Sequence, residues 1–226
     1  MLNRRFSLVA SLLVFVMTGI LSAQTTTMQV VVDGAGGTGC SGGTLGNGQP
    51  GSVVVDFTYD KATQVLTLVV ANTSPLVSGL KVPQLTQLLF NLPQHALTGM
   101  TLTSQSAVSG PLNWDFAYDV NLVDGVGING ACMGDFGARL KTPNGIHEAI
   151  ANPNYLANVA SPHYAVGPAT FVFHCTGPGA ANLTAGAFAR SLSSDADRAN
   201  VVVHLQGGGT DGGISGWIAN DEECSA

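Results

Sequence analysis

The chain has 226 residues, of which 10% are charged, with a net charge of −6 and 29 glycines. A sparsely charged, negative surface repels phosphate backbones and offers no basic cluster, which sets nucleic-acid binding aside. The 45% hydrophobic content, rich in Val and Leu, excludes a disordered chain and points to a packed β protein.

Residues 1–23 read as a secretory signal peptide: Arg4 and Arg5, an apolar run over 6–21, and Leu21-Ser22-Ala23 ending in a small residue. The run is short for a spanning helix, and Gln24 stands where a lipoprotein signal needs Cys. Cleavage after Ala23 takes the net charge from −6 to −8. It leaves 24–226 as one domain of about 200 residues, enough chain for a proper core. The expected location is extracellular or periplasmic, with no membrane attachment after cleavage.

Along the chain, 27–33 is a first strand, running into a Gly-rich stretch over 34–51. Segments 52–59 and 64–72 form the best hairpin, with Val53, Val55 and Phe57 alternating with smaller or polar residues and Asp60-Lys61-Ala62-Thr63 as the turn. Residues 84–92 fit strand or helix by periodicity alone; the strand is favoured because Pro83 and Pro93 bracket a piece of strand length. Residues 98–104 are Thr-rich and extended, and 114–120 (WDFAYDV) alternate aromatic with acidic residues. The Gly, Asp and Asn-rich 122–144 holds a short strand near 136–140, while Pro153 and Pro162 interrupt 145–166. Residues 169–175 are a strand and 185–192 a short helix. In 199–217, Val201, Val203 and Leu205 face one way, and Val202, His204 and Gln206 the other. A Gly-rich loop over 207–213 and a further strand come next. Nine or ten short strands with at most one or two short helices predict an all-β fold, a single β-sandwich of jelly-roll type.

Four cysteines, Cys40, Cys132, Cys175 and Cys224, lie beyond the signal. An even number in an exported protein reads as two disulfides with three connectivities open. Pairing Cys40 with Cys132 and Cys175 with Cys224 ties each Gly-rich loop to a neighbour. No C-x-x-C pair supports zinc or thioredoxin-like chemistry.

No segment carries a complete catalytic motif. Ser41 sits in a G-x-S-x-G match, but the stretch TLGNGQPGS just after it cannot form the helix a nucleophile elbow needs. His95, His147, His163, His174 and His204 show no ligand spacing, and His147-Glu148 lacks the second His of HExxH. His174 and His204 both fall on strands that can be neighbours in one sheet, and a buried or cross-strand hydrogen-bonded His is the commoner explanation for such residues. Calcium is the one cofactor in view, through Asp115, Asp119, Asp124 and Asp211 on Gly-rich segments, though none fits the EF-hand spacing. Trp114, Phe116 and Tyr118 share a strand face, as core or as an exposed platform for sugar rings. Trp217 has the same two readings, and His204 lies nearby in sequence.

The Gly/Asp-rich 122–136 (LVDGVGINGACMGDF), the strand at 169–174, the segment 185–192 and VVVHLQ with its Gly loop together resemble the secreted bacterial "choice-of-anchor" β-sandwich proteins, often found with PEP-CTERM exosortase-sorting tails. The matching ending is His204-Leu205-Gln206 ahead of a Gly/Asp/Ser loop. The resemblance implies an exported domain; the acidic 222–226 lacks the apolar tail of an anchor, so release or non-covalent retention is expected.

The functional expectation is therefore a secreted, non-catalytic protein acting in cell-surface, matrix or filament-type interactions. Its partners are a protein or polysaccharide at the cell surface, self-association included. A carbohydrate-binding module needs two of Trp114, Tyr118, Tyr155, Tyr164 and Trp217 exposed in one patch. A secreted hydrolase needs a pocket where a His and a carboxylate converge.

Overall fold

The computed structural model describes residues 24–33, 45–46, 48–93, 95–118, 136–155, 162–190 and 199–220. Its clearest unit is the hairpin of β2 (Val53–Asp60) and β3 (Val65–Asn72), paired over eight positions without a slip. Val53, Val55, Phe57 and Tyr59 are fully buried, while Val54, Asp56, Thr58 and Asp60 stay half-buried on the other face. Each such side chain contributes roughly 1.5–3 kcal/mol by leaving water, so a one-residue register slip is strongly disfavoured. The Asp60 carboxylate accepts from the Ala62 N–H at 2.9 Å, and Gln64 takes a left-handed φ of 55°. The turn is thus closed as its residues predict.

Around this hairpin, β1 (Thr25–Val32) pairs with β2, and β9 (Ala165–Thr176) pairs with β3 on one side and with β5 (Gly99–Ser109) on the other. A second run is built on β4 (Gln84–Phe90), flanked by β10 (Val201–Gly208) and β7 (Ala138–Lys141). Outside these lie β11 (Ile214–Ala219) and β6 (Asp115–Tyr118). The short β8 (Ile150–Ala151) joins the runs, antiparallel to β4 through Leu85 and parallel to β9 through Ala165 and Val166. The all-β expectation holds, and the eleven strands among the described residues form one curled sheet rather than two unconnected ones.

Across the curl the two runs share a core. Phe90 on β4 meets Phe57 of β2 at 6.0 Å and Phe173 of β9 at 6.2 Å between ring centroids, both edge to face. Phe116 on β6 reaches the same Phe173 at 4.8 Å. A short helix, α1 (Ala185–Ala189), covers one end; Phe188 packs on Tyr59 at 5.4 Å and the Ala185 N–H donates to Thr26 Oγ1 at 2.8 Å. It is shorter than the expected 185–192.

Several expectations are corrected. β4 and β10 are buried on both faces, because Leu89, Phe136, Ala199, Val202 and Ala219 form a second, smaller core on the outer side, with Trp217 packed against it. The half-wet alternation expected of VVVHLQ is therefore dry on both sides. Gly207 and Gly208 belong to β10 rather than to a loop. The strand passes through a register shift between Gln206 and Gly208, and Gly207 holds a φ of +81°. His174 and His204 are not neighbours: His174 is exposed on β9, and His204 lies on β10 in the other run. Cys175, expected in a disulfide, is a free thiol within the main core; its strand position turns the Sγ inward among aromatics. Cys40, Cys132 and Cys224 lie outside the described residues, as do Asp119, Asp124 and Ser41.

Candidate functional site

The side chains expected to form an aromatic platform are divided by the curl of the sheet. Trp114 is buried, packs on Phe171 at 5.4 Å and donates its indole N–H to the Glu148 carbonyl at 2.8 Å. Phe116 is half-buried against the core, and Tyr118 stacks on it at 5.7 Å with an interplanar angle of 14°. Of the five aromatics considered for sugar binding, Tyr118 alone is exposed, at 41%. Of the acidic candidates, Asp115 stands opposite Lys141 in the β6–β7 ladder. Asp211 lies in a turn where its carboxylate accepts from the Gly213 N–H at 2.9 Å. That bond and others from the backbone lower its pKa. Among the described residues no three His, Cys, Asp or Glu side chains are arranged round one point as a metal site.

The sheet does bring His204 and Trp217 together, directly opposite in the β10–β11 ladder with ring centroids 4.4 Å apart. Thr86 lies under the imidazole, its Oγ1 3.0 Å from Nδ1 and 3.1 Å from the His204 carbonyl. The one hydroxyl proton goes to the carbonyl, so Nδ1 carries the hydrogen and the neutral tautomer is fixed. Burial first, and the charge of Lys141 second, lower the imidazole pKa from 6.5 to about 4. A proton-transfer role at neutral pH does not suit such a group; it serves to pin the two strands.

A second constellation, which the spacing of the sequence did not flag, lies where the chain enters β8 and β9. The parallel ladder sets residues 148–151 beside 163–166. The Glu148 N–H donates to the His163 carbonyl at 2.6 Å, and the Ala165 N–H to the Ala149 carbonyl at 3.0 Å. This register places the His147 and His163 rings edge to face at 4.8 Å and 73°. They line a cleft of about 290 Å³ with Pro111, Asn144, Glu148 and Pro162. Glu148 holds a left-handed φ of 64°, and its Oε2 is buried without a hydrogen-bond partner among the described residues. Strain and an orphaned acceptor at one residue are features that concentrate at functional sites.

The third candidate is an edge. β1, TTTMQVVV, pairs with β2 through eight consecutive positions with no bulge, proline or charge, and its other side has no strand neighbour among the described residues. Thr25, Thr27, Gln29 and Val31 are exposed, whereas their ladder partners Asp60, Thr58, Asp56 and Val54 are half-buried. Among the described strands β5 is likewise uncharged and outermost, but two register shifts, between Leu102 and Ser104 and between Ala107 and Ser109, re-twist it. Such bulges protect an edge from pairing with another chain. β1 has no such device.

No family model, curated protein or solved structure matches this chain. Among the described residues, no helix is long and apolar enough to cross a membrane.

Proposed function

We propose that the protein is a secreted, non-catalytic β-sandwich of the choice-of-anchor type that acts in cell-surface, matrix or filament-type interactions by adding a strand at β1. The observation that carries this reading is the β1 edge, which has no strand neighbour among the described residues and is eight residues long, regular, uncharged and proline-free. Edge strands of that kind template pairing with another chain, and main-chain hydrogen bonds supply the affinity. Partners of this chemistry are an extended segment of a surface protein or a second copy.

The test is the size and location of the native protein in a producing culture, divided into medium, envelope and insoluble matrix. Assemblies or matrix-bound protein are expected, and Thr27→Lys with Val31→Lys, both at exposed outward positions, should release monomer. A wild-type monomer confined to the medium would overturn the reading.

A further inference from the structure

The His147–His163 cleft stands apart from strand addition at β1. Both imidazoles are exposed, so their edge-to-face contact removes little apolar area from water. Yet the backbone beneath them is held unusually firmly. Glu148 is fixed from two sides, by its N–H to His163 and by the Trp114 indole on its carbonyl, in a conformation that side-chain-bearing residues rarely adopt. The parallel β8–β9 ladder then locks the two segments in register. Preorganisation of two imidazoles on separate, bonded segments is what a bidentate site for a cation requires. Beside them, the Glu148 carboxylate has a buried oxygen that no described residue satisfies. An uncompensated buried carboxylate oxygen is costly, and a neighbouring positive charge offsets that cost.

We propose that this cleft is a two-imidazole site for a borderline transition-metal ion, of the class Zn²⁺, Cu²⁺ or Ni²⁺. Imidazole nitrogen favours these ions over calcium, which takes hard oxygen ligands. His147 and His163 each supply one ring nitrogen as ligand. Glu148 supplies nearby negative charge, and Asn144 and the two prolines shape the mouth of the cleft. The remaining coordination positions open to solvent and take water or a donor from a bound partner. An ion held this way adds a second, chemically distinct point of attachment to the edge strand.

Isothermal titration of the full chain with ZnCl₂ and NiCl₂ tests this directly. One saturable site is expected, weakened by about tenfold or more in His147→Gln and in His163→Gln, and less so in Glu148→Gln. His95→Gln and His174→Gln, at exposed histidines elsewhere, should leave binding unchanged. The imidazole NMR signals of the unsubstituted protein provide a reading independent of any variant, and Zn²⁺ should shift those of His147 and His163 selectively. The proposal is overturned by the absence of saturable uptake, by uptake that survives the double variant, or by shifts that fall on the other histidines.

Discussion

His204 and Trp217 face each other across β10 and β11 with ring centroids 4.4 Å apart, in a buried position that holds the imidazole in its neutral form. The consequence is a pH-dependent stability with a defined sign. Burial, with a smaller contribution from Lys141, takes the folded-state pKa down to about 4 from 6.5. Between those values the unfolded chain binds a proton that the folded chain refuses. The stabilisation is complete above pH 6.5 and is lost as pH falls through the window towards 4, by up to about 3 kcal/mol. Urea denaturation from pH 7 to pH 4 should show this slope, and His204→Gln should flatten it. An equally steep slope in the variant would assign the effect to other groups.

Cys175 yields a prediction about reactivity. Desolvation among the core aromatics pushes its thiol up to about 12, far from the thiolate form needed for attack. In native protein at pH 8 the thiol should resist a soluble disulfide reagent, and it should react completely once the chain is unfolded in guanidinium. Intact mass of the unfolded, alkylated but unreduced protein gives the complement. A label on the peptide containing Cys175 is expected, and its absence until reductant is added would show a disulfide at this position after all.

How far the sequence carried this structure depends on what sets each feature. β2, β3 and β9 were legible because one face of each is buried and the period-2 pattern is written directly in Val53, Val55, Phe57 and in Phe171, Phe173. β4 was ambiguous for the opposite reason: burial on both faces erases the period, and only its flanking prolines resolved it. The pairing of His204 with Trp217 depends on the register through Gly207 and Gly208, and a glycine run does not encode register. The cleft was hidden for a related reason. His147 and His163 meet only because a two-residue parallel ladder joins segments 15 positions apart, in a stretch with no periodicity of its own. Trp114 was readable as core, but its hydrogen bond to Glu148 was not.

Tyr59 ties the main sheet to the end covered by α1. Its hydroxyl donates to the Ala180 carbonyl at 2.7 Å from a wholly buried position, with Phe188 against the ring. Tyr59→Phe keeps the ring and leaves that carbonyl only the longer bond from the Leu183 N–H at 3.3 Å, which should cost about 0.5–1.5 kcal/mol in chemical denaturation. Burial first, then the charges of Cys175 and Asp60, raise the phenol from 10.0 to about 12. The folded state therefore retains a proton that the unfolded chain loses, so this stabilisation is present below pH 10 and declines as pH rises towards 12. A variant as stable as the parent at pH 7 would show that the hydrogen bond contributes nothing net.

Glu148 joins stability to the proposed site, and the two should respond in opposite directions. A side-chain-bearing residue at a φ of 64° stores strain of about 1–3 kcal/mol, and the buried Oε2 adds a desolvated acceptor without a donor among the described residues. Glu148→Gly removes both while keeping the backbone N–H to His163 and the carbonyl that accepts from Trp114. Glycine gives back part of the gain through the freer unfolded chain, roughly 0.5–1 kcal/mol. The net expectation is a melting temperature raised by a few degrees. Trp114→Phe, which removes the donor that holds this carbonyl, should lower it. Zn²⁺ affinity in Glu148→Gly should fall at the same time, because the negative charge beside the imidazoles is gone. A destabilised Glu148→Gly would mean that the carboxylate is held by a favourable interaction after all, and the strain argument at this residue would fail.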